Sequence, residues 1–158
     1  MGALLVRKRT AEVIEEYESL SASGEVPNYA KRWVASAWLS ERQPEKTEAM
    51  LASIYYRNGP IPVTPLSPED QQDLFYAHID NENFDAAKKQ VDDLIKESPY
   101  LRRIYGSPTP QPNDNWLLGQ SLLTQYHIAA NELPEAEKLA EHLARTGSGN
   151  QGLRISYA

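Results

Sequence analysis

Three histidines, His78, His127 and His142, are the side chains whose type best suits metal ligation or proton transfer near neutral pH. Their placement points elsewhere. His78 and His127 stand at the same place in two similar helical segments, on the side that packs against a neighbouring helix. They read as half-buried packing residues. His142 falls near a helix C-terminus, where positive charge is favourable. The acid pairs Asp92-Asp93 and Glu15-Glu16 are adjacent on helices, so their carboxylates point in different directions and form no acid/base dyad. Pro112-Asn113-Asp114-Asn115 supplies oxygen donors for only a fragment of a calcium site; capping of a helix that begins near Trp116 accounts for it better. No HExxH pair, glycine-rich phosphate loop or GxSxG elbow occurs. The chain has no cysteine, which removes disulfides, thiolate zinc sites and cysteine nucleophiles. It is read as a non-enzyme, with no catalytic residue, no metal and no cofactor.

The totals fit one compact domain or a short repeat array of 158 residues, with 41% apolar residues to build a core. The aromatic set leans on 9 tyrosines and 3 tryptophans against 2 phenylalanines, so many rings carry a polar handle. Eleven prolines cluster between helical segments and punctuate them. A net charge of −6 disfavours nucleic acid and anionic membrane as partners and favours a cationic one. No apolar run is long enough to span a bilayer, and Met1–Val6 is too short for a signal peptide. Any export signal is expected outside this chain.

Apolar periodicity places helices near Ala3–Ser21, Tyr29–Ser40, Glu45–Arg57, Pro68–Asp80, Phe84–Glu97, Trp116–Ala130 and Pro134–Arg145. The stretch Ser67–Pro99 is the clearest. Ser67 is a good N-cap, Pro68 suits the first helical position, and Asp70 falls where a capping-box acid belongs. Leu74, Phe75, His78 and Ile79 form one stripe. Asp80-Asn81-Glu82-Asn83 breaks it, and Phe84, Ala87, Val91, Leu94 and Ile95 form a second that stops before Pro99. In the first helix Arg7-Lys8-Arg9 come early and Glu15, Glu16 and Glu18 late, against the macrodipole, so that helix relies on packing. Pro62-Val63-Thr64-Pro65 matches PxxP, but a stiff spacer is the better reading.

The Ser67–Pro99 pair resembles a tetratricopeptide (TPR) repeat, a unit of about 34 residues with landmark small, aromatic and proline positions. Ala87, Val91, Leu74 and Pro99 match those landmarks; Phe75 and His78 depart from a usual small residue and tyrosine. Trp33, Ala37 and Ala49 are assigned to the landmarks of the preceding repeat. In the following one Leu123, Tyr126 and His127 echo Leu74, Ala77 and His78, and Leu133, Ala136, Ala140 and Leu143 echo Phe84, Ala87, Val91 and Leu94. The resemblance implies an all-α, right-handed superhelix of antiparallel helix pairs. The division is residues 1–27 as the tail of a preceding repeat, 28–66, 67–99, an insertion at 100–115, 116–148, and 149–158 as the start of a further repeat. The array is expected to continue past Ala158, leaving Leu139, Leu143, Leu153 and Tyr157 poorly covered. By repeat position the resemblance also implies a groove lined by Val34, Trp38, Glu41 and Arg42, by Gln72, Tyr76 and Asp80, and by Ser121, Gln125 and Ala129. Of these, Trp38, Glu41, Gln72, Tyr76, Asp80 and Gln125 are the candidate binding residues, with Trp38 and Tyr76 as core the competing reading. Rings, amides and carboxylates suit a sugar or a cationic peptide. They do not suit the family's chaperone-tail clamp, which needs lysines and arginines at these places to hold a carboxylate.

The stretch Asn28–Trp116 is similar to the periplasmic TPR region of outer-membrane porins that export poly-N-acetylglucosamine, a biofilm polysaccharide. That resemblance implies a periplasmic location, as part of an outer-membrane protein with a C-terminal β-barrel. It implies two further partners, a periplasmic polysaccharide deacetylase and the partly deacetylated, cationic polymer. The alternative is a TPR protein–protein scaffold with no glycan contact.

Overall fold

The computed structural model describes residues 9–55, 66–97, 101–102 and 111–146. Among them are seven helices: α1 (Thr10–Ser23), α2 (Asn28–Ser40), α3 (Pro44–Tyr55), α4 (Pro68–Asp80), α5 (Phe84–Glu97), α6 (Asp114–Ala129) and α7 (Leu133–Thr146). The all-α expectation holds for these residues, apart from a two-residue antiparallel ladder. There β1 (Leu101–Arg102) pairs with β2 (Gln111–Pro112), in the register Leu101↔Pro112. Asn113 caps α6 by accepting a hydrogen bond from the Asn115 amide, so the helix starts inside the expected insertion. Ser67 caps α4 through the Asp70 amide, as its sequence predicts. The PxxP segment and the residues from Gly147 to Ala158 lie outside the described residues.

One turn geometry occurs three times. After α2, α4 and α6 the chain takes a single left-handed residue, Arg42 (φ 58°), Glu82 (φ 57°) and Asn131 (φ 60°). In each turn two amides donate back in the Schellman pattern. Gln43 N donates to the Trp38 carbonyl at 2.9 Å, Asn83 N to that of His78 at 2.8 Å, and Glu132 N to that of His127 at 2.7 Å. Arg42, Glu82 and Asn131 bond the carbonyls of Leu39, Ile79 and Ile128. None of the three is glycine, so each carries a Cβ penalty. Replacing Glu82 with glycine should therefore stabilise the protein by about 0.5–1 kcal/mol. Chemical denaturation checks this, and a lower midpoint would contradict it.

These turns fix the internal register, and burial follows it. The successive spacings are 40 residues (82 − 42 = 40) and 49 residues (131 − 82 = 49). Thr47, Leu51 and Ile54 of α3 are buried, as are Ala87, Val91 and Leu94 of α5 and Ala136, Ala140 and Leu143 of α7. Ala30, Val34, Ala35, Ala37 and Trp38 of α2 match Asp70, Leu74, Phe75, Ala77 and His78 of α4 in the same way. This corrects the register expected for the Asn28–Leu66 segment by two residues. Ala49 is exposed, and Thr47 holds the small buried position. Its hydroxyl donates to the Ala35 carbonyl at 2.8 Å, which lets a polar residue take that place. Leu143 is buried and Leu139 half-buried, so neither is the bare surface expected of them.

The chain divides into two compact units, Met1–Asn83 and Phe84–Ala158. In the first, each described helix packs antiparallel on the next. Tyr17 of α1 meets Trp38 of α2, Thr47 and Tyr55 of α3 bond Ala35 and Arg32 of α2, and Tyr55 bonds Asp70 of α4. Arg32–Asp70 and Ser36–Asp73 contacts then set α2 and α4 side by side in the same direction. Ala35, Leu51, Ile54, Tyr55 and Leu74 form its central apolar cluster. In the second unit α6 packs against both α5 and α7. Gly119 permits the close approach of α5, because a Cβ there would lie 2.7 Å from Ile95 Cγ1.

Candidate binding face

The corrected register moves the expected groove. Gln72, Tyr76 and Asp80 recur every fourth residue on α4 and are exposed, so they share one stripe. Their counterparts 40 residues earlier are Arg32, Ser36 and Ser40, not Val34 and Trp38. Those two are core: Val34 is fully buried and Trp38 is 8% exposed. The Trp38 ring lies edge-on to Tyr17 at 5.7 Å, with Lys46 Nζ 5.5 Å from its centroid. Glu41 is exposed at the end of α2 and accepts a hydrogen bond from the Thr10 hydroxyl. Arg42 is exposed in the turn. Gln125, half-buried on α6, belongs to the second unit.

Because α2 and α4 run side by side, Ser36, Ser40, Gln72, Tyr76 and Asp80 build one face of the first unit, with Asp73 at its centre. Sequence reasoning missed Asp73. The Ser36 hydroxyl donates to its Oδ2 across the helix pair, a contact that only the packing of α2 on α4 creates. Burial pushes the Asp73 carboxyl above its ordinary 3.8; Ser36 pulls it back, and Asp70 and Glu69 add to the rise. Burial likewise raises the pKa of the Tyr76 hydroxyl, although the residue as a whole is 40% exposed. A raised carboxyl binds its proton more tightly in the folded state. Its stabilising contribution is complete below 3.8 and is lost as pH rises through the folded value. Asp73→Asn should therefore raise the melting temperature at pH 7 and leave it unchanged near pH 3. Melts at the two pH values check this; a lower melting temperature at pH 7 would contradict it.

Beside this face lies a buried polar knot. Asp70 is 3% exposed and accepts from the hydroxyls of Tyr55 and Ser67, the latter at 2.9 Å, with Arg32 Nε 3.1 Å away. Arg32 also donates to the Tyr55 hydroxyl at 2.5 Å. The Arg32 Nε contact is a charge contact, since that nitrogen has no aligned hydrogen bond. His78 is buried with Nδ1 3.5 Å from Glu48 Oε1 and without a hydrogen bond there. Burial lowers its pKa from 6.5 against the opposing pull of Glu48. A histidine held neutral in this way stabilises the fold above that value and less as pH falls below it. His127 is half-buried with Nδ1 2.6 Å from Glu132, and His142 is exposed. Among the described residues no group of three His, Cys, Asp or Glu gathers as metal ligands. Among the same residues no helix is long and apolar enough to cross a membrane.

The comparison with known proteins bears on what this face could meet. Over its whole length the chain is 42% identical to the poly-beta-1,6-N-acetyl-D-glucosamine export protein of Escherichia coli K12 and to that of Escherichia coli O157:H7. The similarity to exporters of poly-N-acetylglucosamine drawn from the residues is therefore shown. The chain spans about a fifth of the length of these curated relatives (20%). Both carry the name of an export protein rather than an enzyme, in agreement with the non-enzyme reading. No family model matches the chain, and no solved structure does.

Proposed function

We propose that this chain is a periplasmic, TPR-like helical region of an exopolysaccharide exporter. It guides partly deacetylated poly-β-1,6-N-acetylglucosamine toward an outer-membrane β-barrel of the same protein. Similarity along its entire length to the named export proteins carries the reading. The three-fold turn register and burial pattern support the TPR-like arrangement. A periplasmic polysaccharide deacetylase fits as the partner that delivers the polymer, because it leaves free amines along the chain.

The ligand chemistry follows from the first unit's face. Asp73 and Asp80 carry carboxylates on the same helix as the Tyr76 ring and the Gln72 amide, and Glu41 adds one at the end of α2. Carboxylates attract glucosamine ammonium groups, while a ring and an amide fit the sugar face and its acetamide. Exposed ion pairs are worth about 0.2–1 kcal/mol each. A few of them with one ring contact give affinity near the millimolar end, about −4 kcal/mol. Weak holding suits a surface that must pass a polymer onward. Calorimetry with matched acetylated and partly deacetylated oligomers tests this. The partly deacetylated oligomer should bind more tightly, and its advantage should shrink in 1 M salt, where screening acts over about 3 Å rather than about 10 Å. Equal binding of both, insensitive to salt, would favour a protein–protein scaffold.

A further inference from the structure

The second unit carries a shallow groove of about 660 Å³ that the face just described does not use. It is lined by Trp116, Gln120 and His127 of α6 and by Glu135, Leu139 and His142 of α7. The turn register relates one end of it to the first unit. His127 stands where Trp38 stands in the first unit, Glu135 where Lys46 does, and Leu139 where Met50 does. There an aromatic ring fills the space: Tyr17 of α1 lies 5.7 Å from the Trp38 ring, with its hydroxyl 4.0 Å from Met50 Sδ. The described lining of the groove in the second unit comes from α6 and α7 alone.

We propose that the end of this groove lined by Trp116, Gln120 and His142 is a subsite for a neutral, N-acetylated pyranose ring. The proposal rests on the polysaccharide reading above and adds a second kind of contact to it. Trp116 and His142 meet edge-to-face at 6.4 Å and form a ring wall, against which a sugar's C–H face can pack. Gln120, 9% exposed, offers both a donor and an acceptor, which matches an acetamide. The charges around the groove are balanced. Arg145 bonds Glu141 at 3.1 Å, and Lys138 lies on the same helix as Glu135. Recognition here is by shape and hydrogen bonding rather than by net field. It takes the acetylated units of a polymer whose free amines are read by the first unit.

The test is an NMR titration with a fully N-acetylated β-1,6-linked glucosamine oligomer at low salt and in 1 M salt. The chain has three indoles, Trp33, Trp38 and Trp116, which makes the readout specific. The Trp116 indole N–H and amides of α6 and α7 should shift together at both salt concentrations. His142→Ala, an exposed change that removes half of the ring wall, should weaken the binding about fivefold. A still Trp116 indole beside shifts on α4 would overturn the subsite and leave the polysaccharide reading standing. No shift anywhere, with acetylated or partly deacetylated oligomer, would remove both.

Discussion

Phe75→Ala should lower the stability of the protein by about 3–5 kcal/mol, the range for deleting a fully buried phenylalanine. Phe75 is 0% exposed on α4, at a place held by Ala35 on α2 and Thr124 on α6. Those two show that the repeat tolerates a small residue there, but only where the surroundings have closed around it. At Phe75 the ring itself fills the space, so truncation leaves a cavity as well as losing the transfer free energy. Denaturant unfolding followed by circular dichroism measures the loss. Phe75→Leu, which keeps most of the volume, should cost much less. Equal and small losses in both variants would show that the ring is not what closes this part of the core.

Asp70→Ala should cost about 2–3 kcal/mol through a different mechanism. The carboxylate takes hydrogen bonds from Tyr55 and Ser67 and faces Arg32, and it sits almost fully out of water. Breaking a buried charged pair from one side costs about 3–5 kcal/mol when the partner stays buried and uncompensated. Here the Arg32 side chain is 41% exposed and can recover water, which pulls the cost down. What remains is the loss of hydrogen bonds to a charged acceptor and of the acceptor for the Tyr55 hydroxyl proton, which Arg32, a donor, cannot replace. Arg32→Met should cost less than Asp70→Ala, because it leaves Asp70 two hydroxyl donors. The reverse order would place the weight on the charge contact.

Much of the architecture was legible because periodicity and capping act locally. Pro68–Asp80 and Phe84–Glu97 run between the residues that the stripes and the Ser67 cap predict. The candidate face was only half legible, for a reason visible in the Asn28–Leu66 segment. It offers alanines at 35, 37, 49 and 52, any of which can pass for a small packing residue. Thr47 took the buried place because Ala35 supplies its hydrogen bond, an event of tertiary packing. The two-residue slip that followed put Val34 and Trp38 on the face in place of Arg32 and Ser36. The left-handed turns were equally hidden. Arg42, Glu82 and Asn131 lack the glycine that ordinarily marks such a turn, and only the recurrence of their hydrogen bonds shows the repeat register. Asp73 owes its role to Ser36, 37 residues away, which no local pattern reports.

The central claim is that carboxylates on the face of α2 and α4 read the free amines of the polysaccharide. The most direct measurement is a residue-resolved NMR titration of the protein and its Asp73→Asn variant with partly deacetylated β-1,6-linked glucosamine oligomer. In the wild type, resonances of Ser36, Gln72, Asp73, Tyr76 and Asp80 should shift together and weaken with salt. In the variant, which should be the more stable protein at pH 7, those shifts should shrink several-fold. Undiminished shifts in Asp73→Asn, or a wild-type response that bypasses this face, would contradict the account.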